Sequence, residues 1–161
     1  MNDQPADLTN AATQPKILHG KRALVVGIAN EHSIAYGCAR VFRELGADLA
    51  ITYLNEQARP YVEPLARELG ASIFVPCDVA QSGQLEAVFQ QIRETWGSLH
   101  IALHSIAFAP KQDLQGRLVG SSDEGFKLAM DVSCHSFIRM ARLAEPLMTE
   151  GGTLLTMSYH G

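Results

Sequence analysis

Lys21-Arg-Ala-Leu-Val-Val-Gly27-Ile-Ala-Asn-Glu-His-Ser33-Ile-Ala-Tyr-Gly37 is the stretch that decides the fold. A short β-rich apolar run ends at a glycine, a polar turn follows, and Ser33 opens a segment with helical spacing of its apolar residues. A helix that starts directly after a strand presents its free N–H groups to an anion, which is where a dinucleotide pyrophosphate binds. Gly27 lets the chain turn sharply at the strand end. Ser33 can cap the helix while its backbone N–H faces a phosphate, and Gly37 lets the helix approach the sheet. The spacing is not G-x-G-x-x-G, so the segment taken alone is also readable as a strand-to-helix turn that happens to contain glycine.

Working outward, short apolar runs at 23–28, 49–53, 73–75, 101–103 and 153–157 read as buried strands bounded by Gly, Asp or Pro. Helical patterns at 33–45, 57–69, 82–96 and 123–147 lie between them. In the last, Phe126, Met130, Ser133, Phe137, Met140, Ala144 and Leu147 are expected to mark one face, with Asp123, Lys127 and Glu150 at its solvent-facing ends. Gly46 and Gly70 follow the first two helices, and Trp96-Gly97 ends the third. Parallel neighbours need crossover connections, so the alternation predicts an α/β fold with a doubly wound parallel sheet. Residues 1–17 are polar and without hydrophobic period, which predicts a disordered N-terminal tail before a domain at 18–161.

A chain of 161 residues with 47% apolar and 19% charged residues can bury one core. Its longest apolar run, from Ala23 to Ala29, is seven residues, against the roughly 20 that a bilayer span needs. The first nineteen residues have neither a cationic start nor an apolar centre, so they do not read as a secretory signal and a cytoplasmic location is expected. Cys38, Cys77 and Cys134 form no C-x-x-C pair and fit reduced thiols. Thirteen Lys and Arg against seventeen Asp and Glu, for a charge of −4, leave no cationic block to meet a run of phosphates, so nucleic acid is not an expected partner.

Ligands of open α/β sheets bind along the carboxyl ends of the strands, and two further loops there carry suitable chemistry. Asp78, after the third strand, can accept a hydrogen bond from an adenine amino group with Val79 flanking the ring; equally, Asp78 can cap the third helix. After the fourth strand, His104-Ser-Ile-Ala-Phe-Ala-Pro110 offers small residues against which a ribose and a nicotinamide can lie, or a tight loop ended by proline. The acidic residue expected after the second strand is absent from Thr52-Tyr-Leu-Asn-Glu56, and Glu56 is the nearest candidate. No Arg pair follows that strand, which favours NADH over NADPH, with Arg59 keeping the second open. His100 and His104 are four apart but on a strand pattern with no third ligand near, so no metal is expected. Cys134-His135 is assigned to packing.

These segments together resemble an NADH-dependent enoyl-acyl-carrier-protein reductase, a divergent member of the short-chain dehydrogenase/reductase family with a Rossmann-like fold. Gly27-x5-Ser33-x3-Gly37 is similar to that group's modified cofactor fingerprint, and His104-Ser-Ile-Ala-Phe-Ala-Pro110 to its nicotinamide-side loop. Leu155-Thr-Met-Ser-Tyr159-His-Gly161 is similar to the strand-five motif that enters the active site. The resemblance places Gly27, Ser33 and Ile34 around the pyrophosphate, Asp78 and Val79 at the adenine, Ile106 at the nicotinamide side and Ala109 against the acyl substrate. Leu54 stands where the family usually has a polar residue, commonly Gln, near the adenosine. Tyr159 corresponds to the first of two active-site tyrosines.

The reaction so implied is hydride transfer from NADH to the β-carbon of a trans-2-enoyl thioester carried on acyl carrier protein, in a homotetrameric enzyme of fatty-acid biosynthesis. In the family a tyrosine hydroxyl and the nicotinamide ribose hold the charge that collects on the thioester oxygen, and a lysine seven residues beyond that tyrosine orients the ribose. That Tyr-x6-Lys pair does not occur between Tyr159 and Gly161. The resemblance therefore implies an N-terminal fragment, truncated after strand five, with little or no reductase activity by itself. The alternatives are another short-chain dehydrogenase or ketoreductase, with Ser158 as its strand-five serine, and a non-catalytic nucleotide-binding remnant.

Overall fold

Side chains alternate across a strand, and the first strand uses both faces. Ala23 and Val25 pack on one side with Ala35, Ala39, Val62 and Ala66, while Leu24 and Val26 pack on the other with Val88, Ile92, Met140 and Ala144. Only a sheet covered by helices on both faces satisfies that pattern. The computed structural model describes residues 15–158. Its elements are β1 (Arg22–Val26), α1 (Ile34–Glu44), β2 (Asp48–Tyr53), α2 (Arg59–Glu68), β3 (Ile73–Pro76), α3 (Gln84–Trp96), β4 (Ile101–His104), α4 (Asp123–Met130), α5 (Ser136–Ala144) and β5 (Thr153–Thr156).

All strand pairs are parallel and the order is β3-β2-β1-β4-β5. This is the expected doubly wound α/β sheet. The order reverses between β1 and β4, where neighbouring crossovers leave in opposite directions and open a crevice. Val26 pairs with His104, and His104 with Thr156, so the turn after β1 lies beside the loop after β4. Leu24, Val25 and Leu103 are inaccessible to solvent, and each such aliphatic side chain contributes roughly 1.5–3 kcal/mol by leaving water. On β5, which is an edge of the described sheet, Leu154 and Leu155 stay partly exposed.

Helix ends follow the glycines: Gly46 and Gly70 come just after α1 and α2 with positive φ, and Gly97 closes α3. The fourth helical pattern does not form one helix. It divides into α4, a π turn at Asp131–His135, α5 and a 3-10 turn at Glu145–Leu147 that contains Pro146. The wide turn adds one residue to the helix and shifts its face. Gly125, Val132, Ser136, Met140, Ala144 and Leu147 are buried, whereas Phe126 and Met130, expected inside, are exposed. Cys134-His135 does not serve packing either: Cys134 is exposed, and His135 lies in solvent with Nδ1 3.0 Å from Asp131 Oδ1. Among the described residues no helix is long and apolar enough to cross a membrane.

Candidate functional site

A cavity of about 620 Å³ opens at the carboxyl ends of β1 to β4. Ligand sites of small molecules are commonly of this size, mostly apolar, with a few placed polar groups. Val26, Gly27, Ile28 and Ala29 form its β1 wall, Thr52, Leu54 and Asn55 its β2 wall, Cys77, Asp78 and Val79 its β3 wall, and Ser105, Ile106, Ala107 and Phe108 its β4 wall. Leu128 and Val132 close it from α4 and the π turn, and Gln57, Ala58 and Tyr61 from the start of α2.

Gly27 has φ +111°, and a Cβ there would overlap the Ser105 carbonyl, whose carbon would be 2.6 Å away. The Ser105 N–H donates to the Val26 carbonyl at 2.9 Å. The β1 and β4 walls therefore touch through backbone alone, and a ligand's backbone-facing groups can lie against both. Past Ala29 the turn is closed by Ser33. Its Oγ accepts from the N–H groups of Ala29 at 3.3 Å and Asn30 at 3.4 Å and donates to the Asn30 carbonyl.

Ser33 thus does not cap α1 through its side chain as expected, because its hydroxyl is spent on the preceding turn. Its backbone N–H is also taken, by the Asn30 carbonyl at 3.2 Å. The donors that a helix start leaves free are those of the first turn, here Ile34 and Ala35, and no acidic residue of α1 competes for them.

Asp78 organises the β3 wall. Its Oδ1 accepts the Ala80 N–H at 2.9 Å, and its own N–H donates to Gln84 Oε1 at 2.7 Å. Val79 is buried, and its carbonyl accepts from Arg139 Nη2 at 2.8 Å. The N-cap of α3 is Gly83, so Asp78 shapes the loop and does not cap that helix. Burial first, and then the neighbouring Asp78 charge, push the Cys77 thiol up to about 12. It is a neutral wall group and no nucleophile at neutral pH.

No cationic side chain lines the cavity among the described residues. Arg59, the nearest candidate for a second phosphate, is held by Glu56 at 3.4 Å and Glu63 at 3.3 Å and lies over the Tyr53 ring at 5.7 Å. Glu56 also accepts the Tyr53 hydroxyl at 3.0 Å. Nor do any three His, Cys, Asp or Glu of the described residues gather as a metal site.

Behind the β4 wall, His104 is buried with Nε2 2.6 Å from Ser136 Oγ and Nδ1 3.5 Å from Thr156 Oγ1. Ser136 Oγ donates its own proton to the Val132 carbonyl at 2.7 Å, so His104 must donate from Nε2. Burial lowers its pKa, opposed only by a backbone hydrogen bond of its own; His100 is lowered by burial and then by Lys21 and Arg22. A histidine whose folded pKa lies below its unfolded value near 6.5 binds protons more readily when unfolded. Stability is then complete above about pH 6.5 and lost as pH falls toward the folded pKa, at no more than about 1.4 kcal/mol per pH unit for each group. Denaturant unfolding at a series of pH values should show this slope, and His104→Gln should flatten it while His100 preserves the remainder.

Of the residues singled out in the sequence, the cavity brings together Gly27, Leu54, Asp78, Val79 and Ile106. Ser33, Ile34 and Ala109 are not part of its lining, and Tyr159 lies outside the described residues. Thr52, Asn55, Gln57, Tyr61, Phe108, Leu128 and Val132 line it without having been singled out. Thr52 carried a signal, a polar residue in a buried strand two positions from Leu54. Leu128 and Val132 carried none, since their placement depends on the shifted helix face.

The family described as enoyl-(acyl carrier protein) reductase matches residues 27–161. An NADH-dependent enoyl-[acyl-carrier-protein] reductase of Aquifex aeolicus is 44% identical over 146 residues, which are 90% of this chain and 54% of that protein. The crystal structure of the Anaplasma phagocytophilum reductase in complex with NAD superposes with TM-score 0.87 at 42% identity, covering 90% of this chain and 55% of that one. That of the Bacillus cereus reductase with NADP+ and an indole naphthyridinone gives 0.86 at 42% identity, covering 89% and 56%. The chain thus spans about half the length of the relatives it matches.

Proposed function

The chain belongs to the enoyl-(acyl-carrier-protein) reductase family, and on that premise we propose that its cavity is the NADH site of a reductase acting on trans-2-enoyl thioesters. One observation supports this most: the Gly27 turn, the Asp78-Val79 loop and the Ser105–Phe108 wall border a single cavity at the point where the strand order reverses. When bound, NADH supplies the hydride.

The chain's own residues do the holding. Asp78 keeps one carboxylate oxygen for the loop and has the other for the adenine amino group, with Val79 against the ring. The pyrophosphate lies across Gly27 toward the free first-turn N–H groups of α1 at Ile34, and Ser33 sets that turn. Ile106 and Ala107 flank the nicotinamide, and the apolar wall keeps water from it. Leu54 supplies contact to the adenosine without a hydrogen bond. Ala109 is assigned to contact with the acyl thioester on acyl carrier protein, and Tyr159, outside the described residues, to the catalytic set.

The tail expected at 1–17 lies outside the described residues as far as residue 14; this reading also takes 18–161 as part of a Rossmann-like domain, in a cytoplasmic enzyme. Its tetramer would cover the exposed Phe126, Met130 and Ile138.

Calorimetric titration of the chain with NADH tests the site. Saturable binding at one site is the expected result, and its absence would remove the proposal. For the reaction, the chain joined in register to the C-terminal part of the Aquifex aeolicus relative should oxidise NADH on addition of an enoyl thioester. Oxidation with a 3-ketoacyl thioester instead would assign ketoreductase chemistry.

Cofactor choice follows from Arg59. With its guanidinium already shared between two carboxylates, a 2′-phosphate meets no free cation among the described residues of the cavity and faces Glu56. NADPH should bind about tenfold more weakly than NADH, roughly 1.4 kcal/mol, and Glu56→Gln should narrow the gap. Equal affinities measured by competitive titration would contradict this account of selectivity.

A further inference from the structure

The π turn between α4 and α5 carries two serines whose hydroxyls reach the β4 wall. In an α-helix the Ser136 N–H would bond the Val132 carbonyl; here it bonds the Asp131 carbonyl, five residues back. The Val132 carbonyl is left for the Ser136 hydroxyl at 2.7 Å, which in turn accepts from His104 Nε2 at 2.6 Å. One turn earlier, Ser133 Oγ accepts the Phe108 N–H at 3.0 Å and donates to the Phe108 carbonyl at 3.1 Å. The wall at 104–108 is therefore fixed at both ends from one segment, with Ser133 inside its wide turn and Ser136 directly after it.

We propose that the π turn is a positioning device for the nicotinamide side of the site, with Ser133 and His104 as positioning residues that act through the Ser105–Phe108 wall. The proposal rests on the reading of the cavity as an NADH site. Neither residue lines the cavity; their effect is on where Ile106 and Ala107 stand. His104 is the last residue of β4, and Ser105 follows it directly. A wall held at both ends should grip the nicotinamide and leave the adenine end untouched, because the latter is shaped by Asp78 and Val79 on the far side of β1.

The test compares binding of NADH with that of ADP-ribose, which lacks only the nicotinamide, by calorimetry on the full chain. Ser133→Ala removes two hydrogen bonds from a partly exposed position, and it should weaken NADH about fivefold or more, the order expected for two lost hydrogen bonds, while ADP-ribose stays within about twofold. His104→Leu should do the same, and His104→Gln, which keeps a donor for Ser136, should restore most of the loss. Equal weakening of both ligands, or no weakening of NADH by Ser133→Ala, would overturn the proposal while leaving the site intact. Failure of the unaltered chain to bind NADH would instead overturn the site reading, and the positioning role with it.

Discussion

Gly27→Ala lowers the stability of the chain by about 2–6 kcal/mol and removes measurable NADH binding. A non-glycine residue held at such a φ costs roughly 1–3 kcal/mol, and forcing a methyl group into a filled space adds about 1–3 kcal/mol. Here the space is filled by the Ser105 carbonyl, which cannot rotate away as a side chain could. At roughly 2–4 °C per kcal/mol for a chain of this size, the melting temperature should fall by about 4–24 °C. Relief requires the β1 turn and the β4 loop to part, and these are the two walls that meet under the proposed pyrophosphate and nicotinamide. A variant with unchanged melting temperature and unchanged NADH affinity would mean that the two loops are not in backbone contact.

Asp78→Ala is the second large effect, and it falls on binding more than on stability. The carboxylate accepts the Ala80 N–H, and the loop it shapes carries Val79 into the cavity. Losing a hydrogen bond to a charged group costs roughly 1.5–3 kcal/mol, so NADH affinity should drop about 10- to 100-fold. Asp78→Asn keeps an acceptor for Ala80 and should lose less. Because the adenine end is the part affected, ADP-ribose should weaken as much as NADH does. An Asp78→Ala chain that binds both ligands normally would show that the carboxylate serves only its own loop.

The parallel sheet was legible because strands buried on both faces are continuous apolar runs, and every strand lies within two residues of its expected position. The stretch at 123–147 was misread in its face because helical periodicity assumes a constant turn. The π turn at Asp131–His135 breaks that assumption without leaving a proline or glycine to announce it. The same shift hid Val132 and Leu128 from the site, since one constant phase was assumed for the residues before and after the turn. The loops at strand ends were readable from residue chemistry: a glycine where backbone must meet backbone, and an aspartate beside a β-branched residue. At Ser33 it is the side-chain cap that the sequence misled on. A hydroxyl at an N-cap position has the preceding turn as a competing partner, and Asn30 wins it.

Backbone amide shifts of the isotopically labelled chain, followed by NMR during titration with NADH, address the central claim most directly. The account predicts saturable shifts at Gly27, Ile28, Ile34, Asp78, Val79, Ile106 and Ala107, with the exposed face of α3 unmoved. Shifts that cluster away from the carboxyl ends of β1, β3 and β4, or no saturable shift at all, would contradict it.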